Sequence, residues 1–359
     1  MHRPRLVIQV VAANIGLLLV LLALVELGLR SVLHAPTLLG TGRLRDVARQ
    51  LYIQELNIIQ LMPQCSQYDS ELTYRLRPGM CLFSNIEYSD TFRINSAGVR
   101  DDERSLHAPE IIMIGDSYTM GWGVRHDESF PQIVEARVGK TVLDAGISSY
   151  GTAREVVSLS RYDTSRLKTL VIQYCDNDLA ENDAFAAHHN SLPVMSRAEY
   201  DSLVRQQQGG RGYYFGKYVI TLLKSGFYDR LVVRVRRALG WAPSSAAADV
   251  HRRGKYREAE LFLNVLANSP VPLDRVRILV LQLNAYDNND GEFLQMLHAV
   301  ADSEPRFAAF RRIETLDLSP LLADRDYYTL DPHISSRGQR IVAAALLRAL
   351  AKRPGSGAP

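Results

Sequence analysis

Ile111-Ile112-Met113-Ile114-Gly115-Asp116-Ser117-Tyr118-Thr119-Met120-Gly121-Trp122-Gly123-Val124 is the stretch from which the architecture is read. Four apolar residues run straight into a Gly-Asp-Ser turn, and two more glycines follow closely. A short apolar run closed by turn formers predicts a buried strand. The same rhythm recurs on both sides of it. Strands are expected at 110–114, 141–143, 170–174, 276–283 and 313–318, and helices at 128–138, 153–160, 256–267, 291–301 and 337–352. Short strands alternating with helices imply a parallel sheet covered by helices on both faces, with right-handed crossovers. Ligands of such sheets bind beyond the carboxyl ends of the strands, and Ser117 falls at that edge. A serine on a sharp turn there can project its hydroxyl into a crevice. A bare Gly-Asp-Ser is a common turn, in which Ser117 could simply cap the next helix. Its meaning depends on partners elsewhere in the chain.

Composition narrows the field. The 359 residues are 47% hydrophobic and 23% charged, and the formal net charge is +3. No basic block or zinc-finger spacing points to nucleic acid. Residues 6–29 are apolar except for Gln9, Asn14 and Glu26, and about 20 such residues suffice to cross a bilayer. A cleaved signal peptide would carry a shorter apolar region of about 7–15 residues, so an uncleaved anchor is the preferred reading. Arg3 and Arg5 favour a cytoplasmic N-terminus, whereas Arg30, Arg43, Arg45 and Arg49 lie on the other flank. Glu26 and Arg30 are spaced to pair near the outer interface.

The division expected is an anchor over 1–30, a spacer and N-terminal extension over 31–108, a main domain over 109–352 and a flexible tail over 353–359. The segment 31–108 reads as a helical spacer (RDVARQLYIQELNIIQ) followed by irregular or short-stranded chain. An insertion at about 184–255 interrupts the main domain and holds QQQGGRGYYFGKY, the basic helix-like LLKSGFYDRLVVRVRRALG and the small-residue run APSSAAADV. Cys65 and Cys81 bracket the turn-rich QYDSELTYRLRPGM; if this part is exported a disulfide can close it, and otherwise both are buried thiols. Cys175, within an apolar strand, reads as an inert core residue. His188 and His189 read as solvated neighbours, and no metal or other cofactor is assigned.

Beyond Gly115-Asp116-Ser117, three further blocks stand in order: Gly146 in LDAGISSYGT, Cys175-Asp176-Asn177-Asp178 after VIQY, and Asp331-Pro332-His333 before the last helix. Together they resemble the SGNH (GDSL) hydrolase family over roughly 90–184 and 256–352. The resemblance implies a three-layer α/β/α sandwich, with Ser117 as nucleophile and His333 and Asp331 as its base and acid. It implies an oxyanion hole from the Ser117 and Gly146 N–H groups and the Asn177 amide. FRINSAGVRDDE at 92–103 and the anchor ending VELGLR are similar to exported, membrane-anchored members. Those members are often associated with bacterial envelope or extracellular polysaccharides, from which they remove, or between which they transfer, acetyl groups. Two departures stand out: Cys175 replaces the usual glycine of the third block, and Asp331 lies two rather than three residues before His333, with Asp326 and Asp324 as fallbacks.

The chemistry explains why these residue types are needed together. A serine hydroxyl is a weak nucleophile and needs a base within hydrogen-bond reach. Imidazole titrates near working pH, and a carboxylate can orient it and stabilise its charged form. Attack on an ester carbonyl creates an oxyanion that fixed donors must receive. Asp116 is expected to brace the turn. The expected protein is a membrane-anchored serine esterase acting on O-acetyl groups of polysaccharide outside the cytoplasm, by hydrolysis or acyl transfer. Its partners would be the acyl-ester substrate, the membrane and an envelope-biosynthesis complex. A lipid or thioester hydrolase and a non-catalytic polysaccharide-binding scaffold are the alternatives.

Overall fold

The computed structural model of the chain describes residues 3–210, 212–224 and 247–352. Most of the basic stretch and small-residue run of the expected insertion, and the tail after residue 352, lie outside the described residues. Among the described residues two compact units are distinguished. Residues 3–56, 208–224 and 329–331 form one, and residues 57–207, 247–328 and 332–352 form the other.

The larger unit is built on a five-stranded sheet: β5 (Ile111–Ile114), β6 (Val142–Asp144), β7 (Thr169–Tyr174), β8 (Arg277–Gln282) and β9 (Glu314–Leu316). Its order is β6-β5-β7-β8-β9, and all four pairings are parallel. In the order the chain enters the sheet this is 2-1-3-4-5, a doubly wound arrangement that changes direction between β5 and β7. Residues on β5 and β7 are buried whichever way they point, because helices cover both faces. Ile111, Met113 and Val171 pack in one core with Phe130 and Val134 of helix Phe130–Val138 and Val342 and Leu346 of helix Ser336–Ala351. On the opposite face Tyr174 stacks on Phe293 of helix Glu292–Ser303, with ring centroids 3.7 Å apart, and meets Phe262 of helix Ala247–Ala267 edge-on. The result is the expected three-layer α/β/α sandwich. Each expected strand is present within a few residues.

Residues 57–108 are more regular than the sequence suggested. They form two antiparallel hairpins, β1 (Ser66–Asp69) with β2 (Thr73–Leu76), and β3 (Gly79–Asn85) with β4 (Tyr88–Ile94). Cys65 and Cys81 are joined by a disulfide that ties β3 to the residue preceding β1. By loop-closure entropy a link over 16 residues contributes about 3 kcal/mol.

The smaller unit contains the N-terminal helix Arg3–Leu33, helix Arg43–Tyr52 and helix Lys217–Leu223. Val7–Leu33 is long and apolar enough to cross a membrane, and its apolar side chains are exposed along most of its length. Glu26 and Arg30 do not pair. Glu26 is fully buried and accepts hydrogen bonds from the Tyr218 and Val219 N–H groups at 3.2 and 3.0 Å, while the Arg30 guanidinium lies over the Tyr213 ring. Backbone donors beside Glu26 satisfy it without help from the next turn of its own helix.

Candidate functional site

The chain leaves β5 through Gly115 and turns at once into the short helix Ser117–Met120. Asp116 caps it by accepting from the Tyr118 N–H at 2.9 Å, as expected of a bracing residue. Burial pushes the Asp116 carboxyl up to about 6, an effect that the nearby His333 charge opposes. Gln173 of β7 ties the turn to the sheet, its Oε1 accepting from the Asp116 N–H and the Thr119 hydroxyl, both at 3.1 Å. Space explains the glycines. A Cβ on Gly115 would fall 2.1 Å from Thr119 Oγ1, and one on Gly146 would fall 2.4 Å from the Met120 nitrogen. No side chain fits either place without moving the turn that carries Ser117.

Ser117 is at the first helical position, where its N–H has no intrahelical acceptor. Its hydroxyl lies 2.7 Å from His333 Nε2, across 216 residues of sequence. The imidazole packs against two aromatic rings: Trp122 stacks on it with centroids 4.6 Å apart, and Tyr118 sits tilted at 4.9 Å. The backbone around His333 is pinned as well. Tyr328 N–H donates to its carbonyl at 3.0 Å, and the Tyr118 hydroxyl donates to the Pro332 carbonyl at 3.1 Å. Ser117 is buried and His333 half-buried.

Asp331 is fully buried, and its Oδ2 accepts from the Tyr52 hydroxyl at 2.7 Å within the smaller unit. Asp326, a fallback acid, is committed elsewhere. Its Oδ1 pairs with Arg337 Nε at 2.7 Å, and its Oδ2 accepts from the Ala323 N–H. Asp324 lies on the same short helical turn as Asp326, Asp324–Asp326, which precedes the His333 loop.

The expected oxyanion donors differ in availability. The Gly146 N–H already donates to Asp144 Oδ1 at 3.0 Å, so it reaches an oxyanion only by sharing or breaking that bond. The close approach of its backbone to Met120 gives Gly146 a packing role that does not depend on donation. Asn177 is exposed at the start of helix Asp178–Ala187, and its amide makes no hydrogen bond among the described residues. It borders a depression of about 450 Å³ with Asp176, Leu179, Ala180, Asp183 and Arg257. Asp178 is structural, accepting from the Thr152 hydroxyl at 2.9 Å and the Cys175 N–H at 3.4 Å. Cys175 lies just past β7, half-buried, and burial pushes its thiol well above the usual range. Among the described residues no group of three or more metal-ligating side chains occurs. His188 Nδ1 is hydrogen-bonded to the Ala184 carbonyl of its own helix.

Sequence reasoning missed the wall that holds this site. Arg100, buried to 1% exposure, sends one guanidinium nitrogen to the Met120 and Gly121 carbonyls at 3.1 and 2.5 Å. The other reaches the Val124 carbonyl at 2.7 Å and Asp90 Oδ2 at 3.1 Å. Its plane lies 3.6 Å over the Phe92 ring, and burial lowers its pKa to about 10. Next to it, Asp101 accepts from the Asp144 N–H at 2.8 Å. The stretch FRINSAGVRDDE thus serves as a clamp on the loops after β5 and β6. Phe83 of β3 packs edge-on against Trp122, and the Tyr88 ring fills the space where a Cβ on Gly123 would lie. The available signal was Trp122 itself, an aromatic between two glycines directly after the turn.

Several solved structures are similar to this chain. A member of the lipolytic G-D-S-L family from Veillonella parvula DSM 2008 is 14% identical, covers 68% of this chain and 98% of its own, and has a TM-score of 0.34. A lipase from a goat rumen metagenome is 16% identical over 67% of this chain and 96% of its own, also at 0.34. A carbohydrate esterase, whose active site is described as having divergent catalytic and non-catalytic binding functions, is 12% identical over 82% of this chain and 89% of its own, at 0.36. No protein-family model and no curated protein matches. Likeness this distant carries no weight for the chemistry, which rests on the geometry of Ser117 and His333.

Proposed function

We propose that the chain is an SGNH-type serine esterase, anchored by its N-terminal helix, that acts on O-acetyl groups of envelope or extracellular polysaccharide. The single observation that carries the esterase reading is the 2.7 Å contact between the Ser117 hydroxyl and His333 Nε2 at the switch point of the sheet. In this mechanism His333 takes the hydroxyl proton as Ser117 Oγ bonds to the ester carbonyl carbon. The carbonyl electron pair moves onto oxygen, where the Ser117 N–H and the Asn177 amide receive the charge. The tetrahedral species collapses, the sugar alkoxide departs, and it takes the proton from His333. Asp331 holds the imidazole in the tautomer that leaves Nε2 free to accept. Water or a sugar hydroxyl then attacks the acyl-serine by the same steps in reverse, completing hydrolysis or transfer. Burial of Ser117 among Tyr118, Trp122 and His333 favours a small acyl group.

Location follows from two supports. The Cys65–Cys81 disulfide fits an oxidising compartment, and Arg3 and Arg5 favour a cytoplasmic N-terminus. Both observations support a main domain outside the cytoplasmic membrane. Turnover of an activated acetyl ester tests the enzyme reading: Ser117→Ala should abolish it with an unchanged melting temperature. Undiminished turnover in that variant refutes the assignment. Comparing acetyl with longer acyl esters, with and without oligosaccharide acceptors, separates the polysaccharide reading from a lipid or thioester hydrolase.

A further inference from the structure

The smaller unit carries an apolar surface that the esterase reading does not use. Exposed apolar side chains of the N-terminal helix run from Val7 to Leu27, about 21 residues, which at about 1.5 Å each spans about 31 Å. The hydrocarbon core of a bilayer is about 30 Å thick. Near its C-terminal end one side of the helix is covered by protein: Glu26 and Leu33 are fully buried, while Leu27, Arg30 and Ser31 stay exposed. What covers Glu26 is helix Lys217–Leu223, which gives it two backbone donors, and Lys217 is fixed in turn by an ion pair with Glu55 at 2.7 Å. The segment leading into this helix presents Tyr213, Tyr214 and Phe215 to the outside at 41, 54 and 61% exposure. Ile220 and Leu223 of the helix are exposed at 40 and 62%. Gly216, with φ of +87°, makes the turn that sets the aromatic run beside the helix.

We infer that residues 213–223 form a foot that rests in the interfacial zone of the bilayer, with the Tyr213–Phe215 side chains and Ile220 and Leu223 in contact with lipid. The inference rests on the membrane-anchor part of the proposed function. Three observations single out lipid as the occupant. The foot is bonded to the turn at which the lipid-length stretch ends, so its surface continues the lipid-facing surface of the anchor. Its side chains are those that settle at the headgroup boundary, where an aromatic ring meets acyl chains on one side and water on the other. Arg30, whose guanidinium lies 4.5 Å from the Tyr213 ring centroid, is placed to reach lipid phosphate while its stem stays in the apolar layer. A buried glutamate within an apolar helix is costly unless satisfied, and the foot supplies that satisfaction at the membrane boundary.

The test uses the full chain in phosphatidylcholine–phosphatidylglycerol nanodiscs, with nitroxide labels at single cysteines in a Cys175→Ala background. Labels go on Phe215→Cys, on Leu19→Cys within the anchor, and on Lys140→Cys as an aqueous reference. Collision with oxygen and with a water-soluble nickel chelate is read for each. The expected result is a label at 215 several-fold less accessible to nickel than the label at 140, while oxygen reaches it readily. Nickel access at 215 equal to that at 140, with 19 shielded, overturns the foot and leaves the anchor standing. A label at 215 shielded from both reagents means that protein covers the patch, which also overturns it. Nickel access at 19 removes the anchor and the foot together.

Discussion

The turn after β5 and the turn after β7 leave neighbouring strands at the same edge of the sheet, yet they are held in opposite ways. In the first, nearly every polar group is engaged: Arg100 holds three carbonyls, Gln173 holds the Asp116 N–H, and Ser117 is buried against His333. In the second, the Asp176 N–H is tied to Asn284 and the Asp178 carboxylate to Thr152, but Asn177 is exposed and its amide makes no hydrogen bond among the described residues. A nucleophile gains from being fixed before substrate arrives, since its reaction partner is always there. A donor to an oxyanion has no partner until the charge forms. In the proposed mechanism the first turn is the permanent part of the machinery and the second the part completed on substrate binding.

Breaking the first turn at its base gives the largest effect. His333→Ala is expected to lower kcat on an activated acetyl ester by about 10⁴-fold, with little change in fold. Loss of less than tenfold would mean that the hydroxyl is not activated by this imidazole. Next comes the clamp. Arg100→Ala leaves buried carbonyls without a donor and Asp90 without its partner, and should cost about 3–5 kcal/mol in chemical denaturation. A cost under about 1 kcal/mol would show that the loop holds its own shape.

Asn177→Ala sharpens the comparison from the other side. It should lower kcat by about 10²–10³-fold, as loss of one oxyanion donor does, while stability moves by no more than about 0.5 kcal/mol. A normal kcat would demote the second turn to a structural one. A smaller effect concerns pH. The Asp116 carboxyl is raised from 3.8 to about 6 on folding, so the folded state binds the extra proton between these values. Its share of stability is complete below about pH 4, falls as pH rises toward 6 and is constant above, by at most about 3 kcal/mol. Asp116→Asn should flatten the melting temperature over that window, and an unaltered pH profile would contradict the raised value. The smallest effect expected is that of Cys175→Gly. The half-buried thiol lies just past β7, and restoring the glycine of the resembled family should change kcat less than about threefold.

The same contrast explains what was legible in the sequence. The five sheet strands could be read because each is a short apolar run closed by turn residues, a local signal. Ser117 and His333 could be read because their neighbours carry a recognisable order. Arg100 could not. Its acceptors lie 10 to 24 residues away, and a lone arginine near a turn resembles any solvated one. The hairpin β3–β4 escaped for a related reason: Met80 and Leu82 are exposed while Cys81 and Phe83 are buried, so apolar residues occupy both faces and erase the alternation. The hold of Tyr52 on Asp331 joins residues 279 apart and left no trace in spacing. The disulfide was one of two open readings, since sequence alone does not show which side of the membrane a loop occupies.

The most direct test of the central claim is reaction with a fluorophosphonate, followed by peptide mapping of the adduct. The account predicts one phosphonyl group per chain, on Ser117, absent in Ser117→Ala and formed far more slowly in His333→Ala. Labelling at another residue, or at Ser117 with a rate indifferent to His333, would contradict it.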